Sequence, residues 1–478
     1  MPRLAIIDIG SNSSTMAVYE GSREFGVNRV YQHGETLRLI RQLRPDRTFP
    51  TSAIDRTVEV MRIFSQRALA NGAEHIEAVA TSAVRDAKNQ DELLARIRDE
   101  AGVPVRILDG EHEGVAAVVS AVNALPIQDG FVVDMGGGSV QIAHVVTRRA
   151  RQVVSLPLGA LRLTDRFFTV DPPTPDAVTQ FRRHVQELIA PLSWFNASGG
   201  TLVGVGGSVR TLGKVDRRDR ALATNLRPGE GGECHVTHGH GYGLSLDAIE
   251  AIWERVSRVN ADARRDIPGL GAERVDTVSA AALFWFLLLR AGGFEQVRLS
   301  AYGVREGMAM RWLASQAGDD ASSLVPDVRR AGLWSRFPPR YVELCRAAVA
   351  RAAALADALR VEEGRQVLLA ATHVAASGIR NESAVAALLD APLPGFWHED
   401  VMDVVDVLLP GVPRHMATIR RDRLRALVDI ALSGDFGTVR VGEEGVSIEG
   451  QPLPPPLAAR FSQAWGRRLI QSPSPAVG

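Results

Sequence analysis

Lysine is nearly absent from this sequence of 478 residues, since Lys88 and Lys214 are the two lysines among its 55 basic residues. One interpretation is a preference for the planar arginine group, which binds phosphate through two parallel hydrogen bonds. The other is a GC-rich genome that favours arginine codons. The 55 acidic residues balance the basic ones exactly in number, and a formal net charge of zero argues against a protein that coats nucleic acid. We therefore expect no nucleic-acid partner.

Cysteine is also scarce. Cys234 and Cys345 form no disulfide or metal-binding pattern, which indicates a reducing, cytoplasmic environment. No uninterrupted apolar stretch reaches the roughly 18 residues of a membrane span. The most apolar run, over residues 280–289, is too short to cross a bilayer, so we expect no membrane partner. The sequence opens on a predicted core strand, and no signal peptide is expected.

What the sequence does have is a distinctive turn within residues 131–142, FVVDMGGGSVQI. The apolar run predicts a buried strand that ends at Asp134, and the glycines after it predict a tight turn. Successive N–H groups in such a turn can bind an anion. A carboxylate at the strand end suits a hard cation such as Mg²⁺. The pattern indicates a phosphate-and-metal turn, and the alternative is a glycine-rich hairpin that binds nothing.

The same design occurs earlier in the chain. Residues 4–13, LAIIDIGSNS, place Asp8 at a strand end 126 positions before Asp134. A second pair matches residues 80–85, ATSAVR, with residues 206–210, GGSVR, so that Arg85 and Arg210 lie 125 positions apart. Two pairs at nearly one offset indicate a duplicated domain. Two facing copies would bring both turns to one cleft.

The first half alternates strands with helices, which indicates an α/β architecture. Residues 26–50 are predicted to be irregular, and Thr51 or Ser52 is predicted to cap a helix that ends at Asn71-Gly72. Thr81 and Ser82 are predicted to cap a helix with Arg85 in its first turn. That arginine is either part of an anion site or a solvated surface charge.

Acidic residues open the next helix, which is predicted to run to about Val122. In residues 109–114, DGEHEG, the acids either complement the helix dipole or include a general base that reaches a cleft. In the second half, the strand over residues 202–205 precedes a second glycine-rich turn at residues 204–208. Residues 216–242 are predicted to form a mobile loop, because its Cys234, His235, His238 and His240 do not have the spacing of a closed zinc site.

In residues 8–13, 80–85 and 134–139, the sequence resembles the exopolyphosphatase/guanosine pentaphosphate phosphohydrolase (Ppx/GppA) family. Residues 158–167, 268–271 and 302–307 also look like segments of that family. The resemblance implies two duplicated α/β domains of the actin and hexokinase (ribonuclease H-like) type, over residues 1–124 and 125–315, with a cleft between them. Beyond them, residues 316–478 would form a mainly helical, HD-like C-terminal domain.

The resemblance further implies an enzyme that hydrolyses a terminal phosphoanhydride with Mg²⁺ or another divalent cation. By position, Glu113 would activate the attacking water. The metal ligands would be Asp134, Glu113 and Asp8. The groups that grip phosphate would be Ser11, Asn12, Ser13, Arg85, Gly136, Gly137, Gly138, Ser139, Gly206, Gly207 and Ser208.

The leading hypothesis for the substrate is inorganic polyphosphate, with release of orthophosphate. The alternatives are removal of the 5′ γ-phosphate from guanosine pentaphosphate and a sensor that binds phosphate chains without catalysis. The sensor hypothesis rests on Gln141, which stands where the family commonly has glutamate. In the third domain, Thr372-His373-Val374 lacks the aspartate that would follow the histidine in an HD site, so no metal is expected there. A homodimer is expected.

Overall fold

The computed structural model describes residues 2–22, 26–219, 239–324, 342–377, 395–408, 416–433, 436–450 and 453–472. These residues form two compact units. The first unit comprises the described residues up to 324, and the second comprises those from 342 onwards. The first unit holds both predicted α/β domains, whose boundary at residues 124–125 stays a prediction.

The first sheet consists of β1 (Arg3–Ile9), β2 (Ser13–Ser22), β3 (Gly26–Thr36), β4 (His75–Ala80) and β5 (Val105–Ile107). Its order is β3-β2-β1-β4-β5. β1 runs antiparallel to β2 and parallel to β4. Residues 4–7 of β1 are fully buried, as expected for a central strand covered on both faces.

The helices of this half are α1 (Leu39–Gln42), α2 (Thr51–Ala70), α3 (Ser82–Arg85), α4 (Gln90–Ala101) and α5 (Gly110–Val122). On α2, Ile54, Val58 and Phe64 recur at helical spacing and are buried in one core with Ile7 of β1. The helix ends at Asn71, and Gly72 follows with a φ of +77°, a conformation that glycine adopts without strain. The predicted end of α2 is therefore confirmed.

The second sheet repeats the first. Its strands are β6 (Gly130–Met135), β7 (Val140–Val146), β8 (Arg149–Leu156), β9 (Thr201–Val205), β10 (Gly243–Ser245) and β11 (Gln296–Leu299). The order is β10-β11-β9-β6-β7-β8. The antiparallel series β8-β7-β6 followed by the parallel neighbour β9 matches β3-β2-β1 followed by β4. This is the relation that the repeat in the sequence predicts.

The second half contributes α6 (Ala160–Phe167), α7 (Pro175–Ile189), α8 (Gly207–Asp219), α9 (Leu246–Ser257), α10 (Ala261–Arg264), α11 (Val278–Gly292) and α12 (Val304–Ala317). Short 3-10 turns lie at Ala197–Gly199, Ala272–Arg274 and Ala321–Ser323. α11 is apolar on all sides and forms the centre of the second core. α12 crosses back to the first half, where a Cβ atom on Gly307 would lie 1.9 Å from the carbonyl oxygen of Ala116. The absence of a side chain at Gly307 is what allows α12 to pack so closely on α5.

The second unit contains α13 (Val342–Leu359), α14 (Arg365–Ala376), α15 (His398–Leu408), α16 (Thr418–Leu432) and α17 (Pro455–Trp465). A small sheet, β12 (Phe436–Gly442), β13 (Gly445–Gly450) and β14 (Leu469–Ser472), has the order β12-β13-β14. The helical character of the unit agrees with the sequence analysis. Its likeness to HD phosphohydrolases stays a prediction.

Three sequence-based predictions need correction. Residues 26–36 form β3 rather than irregular structure. Their polar composition does not predict a strand, but backbone pairing with β2 supplies the hydrogen bonds that form one. Pro50, not Thr51 or Ser52, is the residue before α2. In the predicted loop over residues 216–242, the first four residues belong to α8 and His240 is buried; Cys234, His235 and His238 lie outside the described residues.

No helix in the described part of the chain combines the length and the apolarity needed to cross a membrane.

Candidate active site

The two predicted turns lie against each other. A Cβ atom on Gly137 would lie 3.1 Å from the backbone nitrogen of Asn12, and one on Gly138 would lie 2.1 Å from Oγ of Ser82. Gly137 therefore lies close to the backbone of the turn after β1, and Gly138 is packed against side chains, which leaves little room for a Cβ atom at either position. The duplication therefore brings its two equivalent turns to one place.

In both turns the carbonyl groups point away from the gap between them. The carbonyl oxygens of Ser11 and Asn12 accept hydrogen bonds from the backbone at Ile40 and Arg38, at 3.1 and 2.7 Å. Those of Gly136 and Gly137 accept from the first residues of α6 at 3.0 to 3.1 Å. The N–H groups of Ser11, Asn12, Gly137 and Gly138 have no hydrogen-bond acceptor among the described residues. Adjacent N–H groups of this kind can bind an anion.

These turns enclose a cavity of about 310 Å³ in the first unit. It brings together twelve of the predicted site residues: Asp8, Ser11, Asn12, Ser13, Glu113, Asp134, Gly136, Gly137, Gly138, Ser139, Gly206 and Gly207. Ser208 is buried on α8 and is not part of the lining. Gly206, with a φ of +98°, lets α8 begin beside the carboxylate of Asp134.

Ser11 has a clear local role in this arrangement. Its Oγ accepts a hydrogen bond from the backbone N–H of Ala83 at 3.1 Å and lies 2.8 Å from Oγ of Ser82. These bonds tie the first turn to the start of α3, although the two segments are about 70 positions apart in sequence. The sequence pattern of small hydroxyl residues thus positions the turn as well as lining the cavity.

Four carboxylates line the cavity, and the three with a raised pKa, Asp8, Glu113 and Asp134, lie on three different elements. Burial raises the pKa of Asp8 to about 6, against the positive charge of Arg305. Burial and then the charge of Asp8 raise the pKa of Asp134 to about 6. Burial, followed by the charge of Asp134, raises the pKa of Glu113 to about 8. The carboxylates repel one another, so together they favour the arrival of positive charge.

Glu113 is held from one side. Its Oε2 accepts a hydrogen bond from Nε2 of Gln141 at 3.1 Å and lies 3.5 Å from Nη1 of Arg85. The same Nη1 donates to the carbonyl oxygen of Leu108 at 2.5 Å. Arg85 therefore lies behind Glu113 and does not line the cavity, where the sequence analysis placed it as a phosphate ligand. Its position supports the carboxylate instead.

The residues present fit a divalent cation of the Mg²⁺ type. Oδ1 of Asp8 is buried without a hydrogen-bond partner among the residues that the structure describes, and burial raises the pKa of this carboxyl, so a bound cation would stabilise its ionised form. Within the described part of the chain, no three acidic, histidine or cysteine side chains form a compact metal cluster. Asp8 and Asp134 would therefore hold a cation as partial ligands, with the remaining positions left to water and phosphate oxygens, which is the arrangement that Mg²⁺ favours.

The sequence analysis missed three arginines that line the cavity: Arg210, Arg274 and Arg305. The guanidinium of Arg274 lies close to Gly207. A Cβ atom on Gly207 would be 2.3 Å from Nη2 of Arg274. Arg210 donates to the carbonyl oxygen of Ala301 at 2.7 Å. Arg210 was visible in the sequence as the counterpart of Arg85, and Arg305 lies in the segment over residues 302–307; nothing in the sequence singles out Arg274.

The fold and the site define an α/β protein with two related halves and a polar cavity lined by residues of both. The model of the Ppx/GppA phosphatase family matches residues 18–316. The chain belongs to the Ppx/GppA phosphatase family, and it is a phosphoanhydride hydrolase. The family match ends before the second unit begins.

Individual relatives agree. The chain is 28% identical over 325 residues to exopolyphosphatase 1 of Mycobacterium leprae (strain TN), an alignment that covers 68% of this chain and 92% of the relative. It is 29% identical over 337 residues to exopolyphosphatase 1 of Mycobacterium tuberculosis (strain H37Rv), covering 69% and 95%. A solved structure of the Aquifex aeolicus Ppx/GppA enzyme is 26% identical with a TM-score of 0.54, covering 64% of this chain and 98% of that one. These matches confirm the resemblance and the actin-like fold.

Proposed function

We propose that this chain is an exopolyphosphatase that removes the terminal phosphate of inorganic polyphosphate with the help of a divalent cation, Mg²⁺ in the first instance. The observation that carries the proposal is the lining of the cleft. Its described lining residues offer backbone N–H groups, hydroxyls, arginines and carboxylates, but no aromatic ring. A nucleotide base would normally find an apolar or aromatic surface in its site. The cleft suits a chain made of phosphate alone.

The relatives' names support the same substrate. The mycobacterial relatives are exopolyphosphatases, and their alignments cover more than nine-tenths of their own length. Guanosine pentaphosphate remains the alternative, because the chemistry at the terminal phosphate is the same. A purely binding, sensor-type function is the third outcome that the experiment below distinguishes.

The first role to be assigned is the binding of phosphate. We assign this role to the N–H groups of the two turns, at Ser11, Asn12, Gly137 and Gly138, and to the start of α8 at Gly206 and Gly207. Ser13 adds a hydroxyl. Arg210, Arg274 and Arg305 add positive charge on the second half. Positioned N–H donors and arginines stabilise the charge of a transferring phosphoryl group without reorganising during the reaction.

Glu113 is the proposed general base. Its Oε2 is occupied by Gln141 and Arg85, so Oε1 is the oxygen available to a water molecule in the cavity. The water oxygen attacks the terminal phosphorus while its proton moves to Oε1, and the bridging P–O bond breaks to leave a chain shorter by one phosphate. A pKa of about 8 makes the ionised carboxylate a stronger base than an ordinary glutamate. When bound by Asp8 and Asp134, with Glu113 as a third candidate ligand, the cation supplies positive charge to the phosphate oxygens.

The test is orthophosphate release from long-chain polyphosphate in the presence of Mg²⁺, compared between the wild type and Glu113→Gln. General-base removal costs about 100-fold or more in kcat. Glu111→Gln is the matched control, because Glu111 lies in the same first turn of α5 and is exposed. Retained activity in Glu113→Gln would overturn the assignment of the base.

The substrate is tested in the same assay by competition. Guanosine pentaphosphate should inhibit phosphate release from polyphosphate weakly, and it should be hydrolysed with a lower kcat/KM. A higher kcat/KM for guanosine pentaphosphate would favour the alternative. Binding of polyphosphate by the wild type without any release of phosphate would favour the sensor. A homodimer in the cytoplasm stays part of the proposal, and light scattering of the purified chain tests its oligomeric state.

A further inference from the structure

Gln141 lies at the centre of a small hydrogen-bond network beside the proposed base. It is 1% exposed and pairs directly with Asp134 across the β6–β7 ladder. Its Nε2 lies 3.1 Å from Oε2 of Glu113, 3.0 Å from Oγ of Ser139 and 3.1 Å from Oγ of Ser155. Two amide protons therefore serve three nearby oxygens, which is a fully used donor group.

The orientation of the amide follows from its neighbours. The side-chain nitrogen of glutamine can only donate, and an ionised carboxylate can only accept. If the amide were reversed, its carbonyl oxygen would face Oε2 of Glu113 at about the same 3.1 Å, and the ionised carboxylate that acts as base would then have no proton between the two acceptors. The donor orientation is therefore the one that suits an ionised Glu113, and it leaves Oε1 of Gln141 buried without a partner in the described part of the chain.

The backbone nearby is built to keep this contact short. Gly114 follows Glu113 on α5, and a Cβ atom on Gly114 would lie 2.4 Å from Cγ1 of Val153 and 3.4 Å from Cβ of Gln141. Without a side chain at this position, α5 packs directly on β7 and β8. The amide of Gln141 on β7 is then close enough to donate to the carboxylate of Glu113 on α5.

We propose that Gln141 is a positioning residue that anchors Oε2 of Glu113 and so directs Oε1 toward the attacking water. This inference rests on the proposed function, since it assigns Gln141 a part in the same reaction. It differs from the sensor hypothesis, in which Gln141 replaces the glutamate that the family commonly has at this position and catalysis is lost. A glutamate here would place a second carboxylate against Oε2 of Glu113 and would remove the donor that holds it.

The experiment compares Gln141→Glu and Gln141→Met with the wild type for phosphate release from long-chain polyphosphate. Gln141→Met keeps the length of the side chain but has no donor. Loss of a hydrogen bond to a charged group lowers kcat by about tenfold or more, while KM for polyphosphate and the affinity measured by equilibrium dialysis should change less than about twofold. A residue with a merely structural role would instead lower the urea midpoint of unfolding and raise KM together with any loss of kcat.

The opposite outcome is equally clear. If Gln141→Glu is as fast as the wild type or faster, or if it reaches half its maximal rate at a lower Mg²⁺ concentration, position 141 is a metal ligand and the inference is wrong. Should Gln141→Glu fail to fold, the kcat of Gln141→Met decides alone, and wild-type kcat in that variant overturns the inference. An inactive wild type would instead refute the proposed function, so the two failures are distinguishable.

Discussion

The hydroxyl of Tyr19 donates a hydrogen bond to Oε1 of Glu306 over 2.7 Å, which joins β2 to α12 across 287 positions of sequence. The other carboxylate oxygen, Oε2, accepts from the backbone N–H of Gly303 at 2.8 Å. Burial and then the charge of Glu306 raise the pKa of Tyr19 well above its usual value. Although burial opposes its ionisation, Arg305 and these hydrogen bonds hold the pKa of Glu306 below its usual range. The bond therefore links a neutral phenol to an ionised carboxylate.

Tyr19→Phe should destabilise the first unit by about 1–3 kcal/mol, because it removes the donor to a buried charged acceptor. Urea denaturation measures the loss. Tyr31→Phe is the matched control on the neighbouring strand, since the Tyr31 hydroxyl is bonded at an exposed site by Arg67 at 3.3 Å. Equal losses in the two variants would show that the Tyr19–Glu306 bond contributes nothing specific.

The side chain of His240 forms hydrogen bonds with two backbone groups that are far apart in sequence, at Ala124 and Ala301. One ring nitrogen, Nε2, donates to the carbonyl oxygen of Ala124 at 3.0 Å, and the other, Nδ1, accepts from the backbone N–H of Ala301 at 3.2 Å. Both nitrogens are used only when the ring is neutral. Burial lowers the pKa of His240 from 6.5 to about 4.

Because the pKa of His240 is lowered, the stability of the folded state decreases as the pH falls. The unfolded chain binds the proton first, so the contribution of His240 to stability is full above about pH 6.5 and is lost as the pH falls to about 4. The loss is about 3 kcal/mol. In His240→Gln, whose amide can make both hydrogen bonds, this part of the slope should vanish. The check is the difference in urea midpoint between wild type and variant from pH 7 to pH 4, with the exposed His75→Gln as control; a difference that does not change with pH would contradict the prediction.

A set of ion pairs bridges the halves next to both turns. Nη1 of Arg41 lies 2.8 Å from Oδ2 of Asp276, and Nη2 lies 2.7 Å from Oδ1 of Asp165 on α6. Arg38, whose backbone N–H bonds the carbonyl of Asn12, makes a second pair with Asp276 at 2.7 Å. The hydrogen bonds to Asp165 contribute most to raising the pKa of Arg41 above its usual value. The pairs are partly exposed, so each contributes little to overall stability.

Arg41→Gln should therefore change the free energy of unfolding by less than about 1 kcal/mol. It should, however, weaken the link between the segment around Arg41 and the acidic residues Asp165 and Asp276 beside the cleft. We expect KM for polyphosphate to rise several-fold at low salt. The ratio of KM between variant and wild type should fall toward one at about 1 M salt, where charges are screened over about 3 Å. Arg56→Gln, which removes an exposed arginine of α2 paired with Glu59, is the control. A KM ratio independent of salt would contradict an electrostatic bridge.

The parts of this molecule that could be predicted from sequence are those with local causes. An apolar run, an acid, and then glycine and serine predict the turns at Asp8 and Asp134, and the repeated offset predicts that they are equivalent. The end of α2 at Asn71 and the buried helix α11 follow from equally local patterns. Apart from the offset, each of these signals lies within about a dozen residues, which is the range over which propensity and periodicity operate.

The parts that could not be predicted depend on contacts between distant segments. Arg274 reaches Gly207 only because the chain returns across the second half, and Arg85 bonds Leu108 and Glu113 rather than facing the cleft. β3 has a polar sequence and exists because β2 pairs with it. His240 looked like a loop residue, although its partners at Ala124 and Ala301 lie 116 and 61 positions away.

The packing around Gly138 gives a sharp steric prediction. A Cβ atom on Gly138 would lie 2.1 Å from Oγ of Ser82, 2.8 Å from Oγ of Ser11 and 2.9 Å from Cδ1 of Ile40, so Gly138→Ala must displace these side chains. On Gly136, in the same turn, it would meet only the carbonyl oxygen of Ser139 at 3.4 Å, which is ordinary contact. Gly138→Ala should destabilise the first unit by about 1–3 kcal/mol and lower kcat/KM for polyphosphate far more than Gly136→Ala does. If the two alanine variants matched in urea midpoint and in kcat/KM, these side chains would move aside at no cost, and their packing on Gly138 would not be what holds the turn in place.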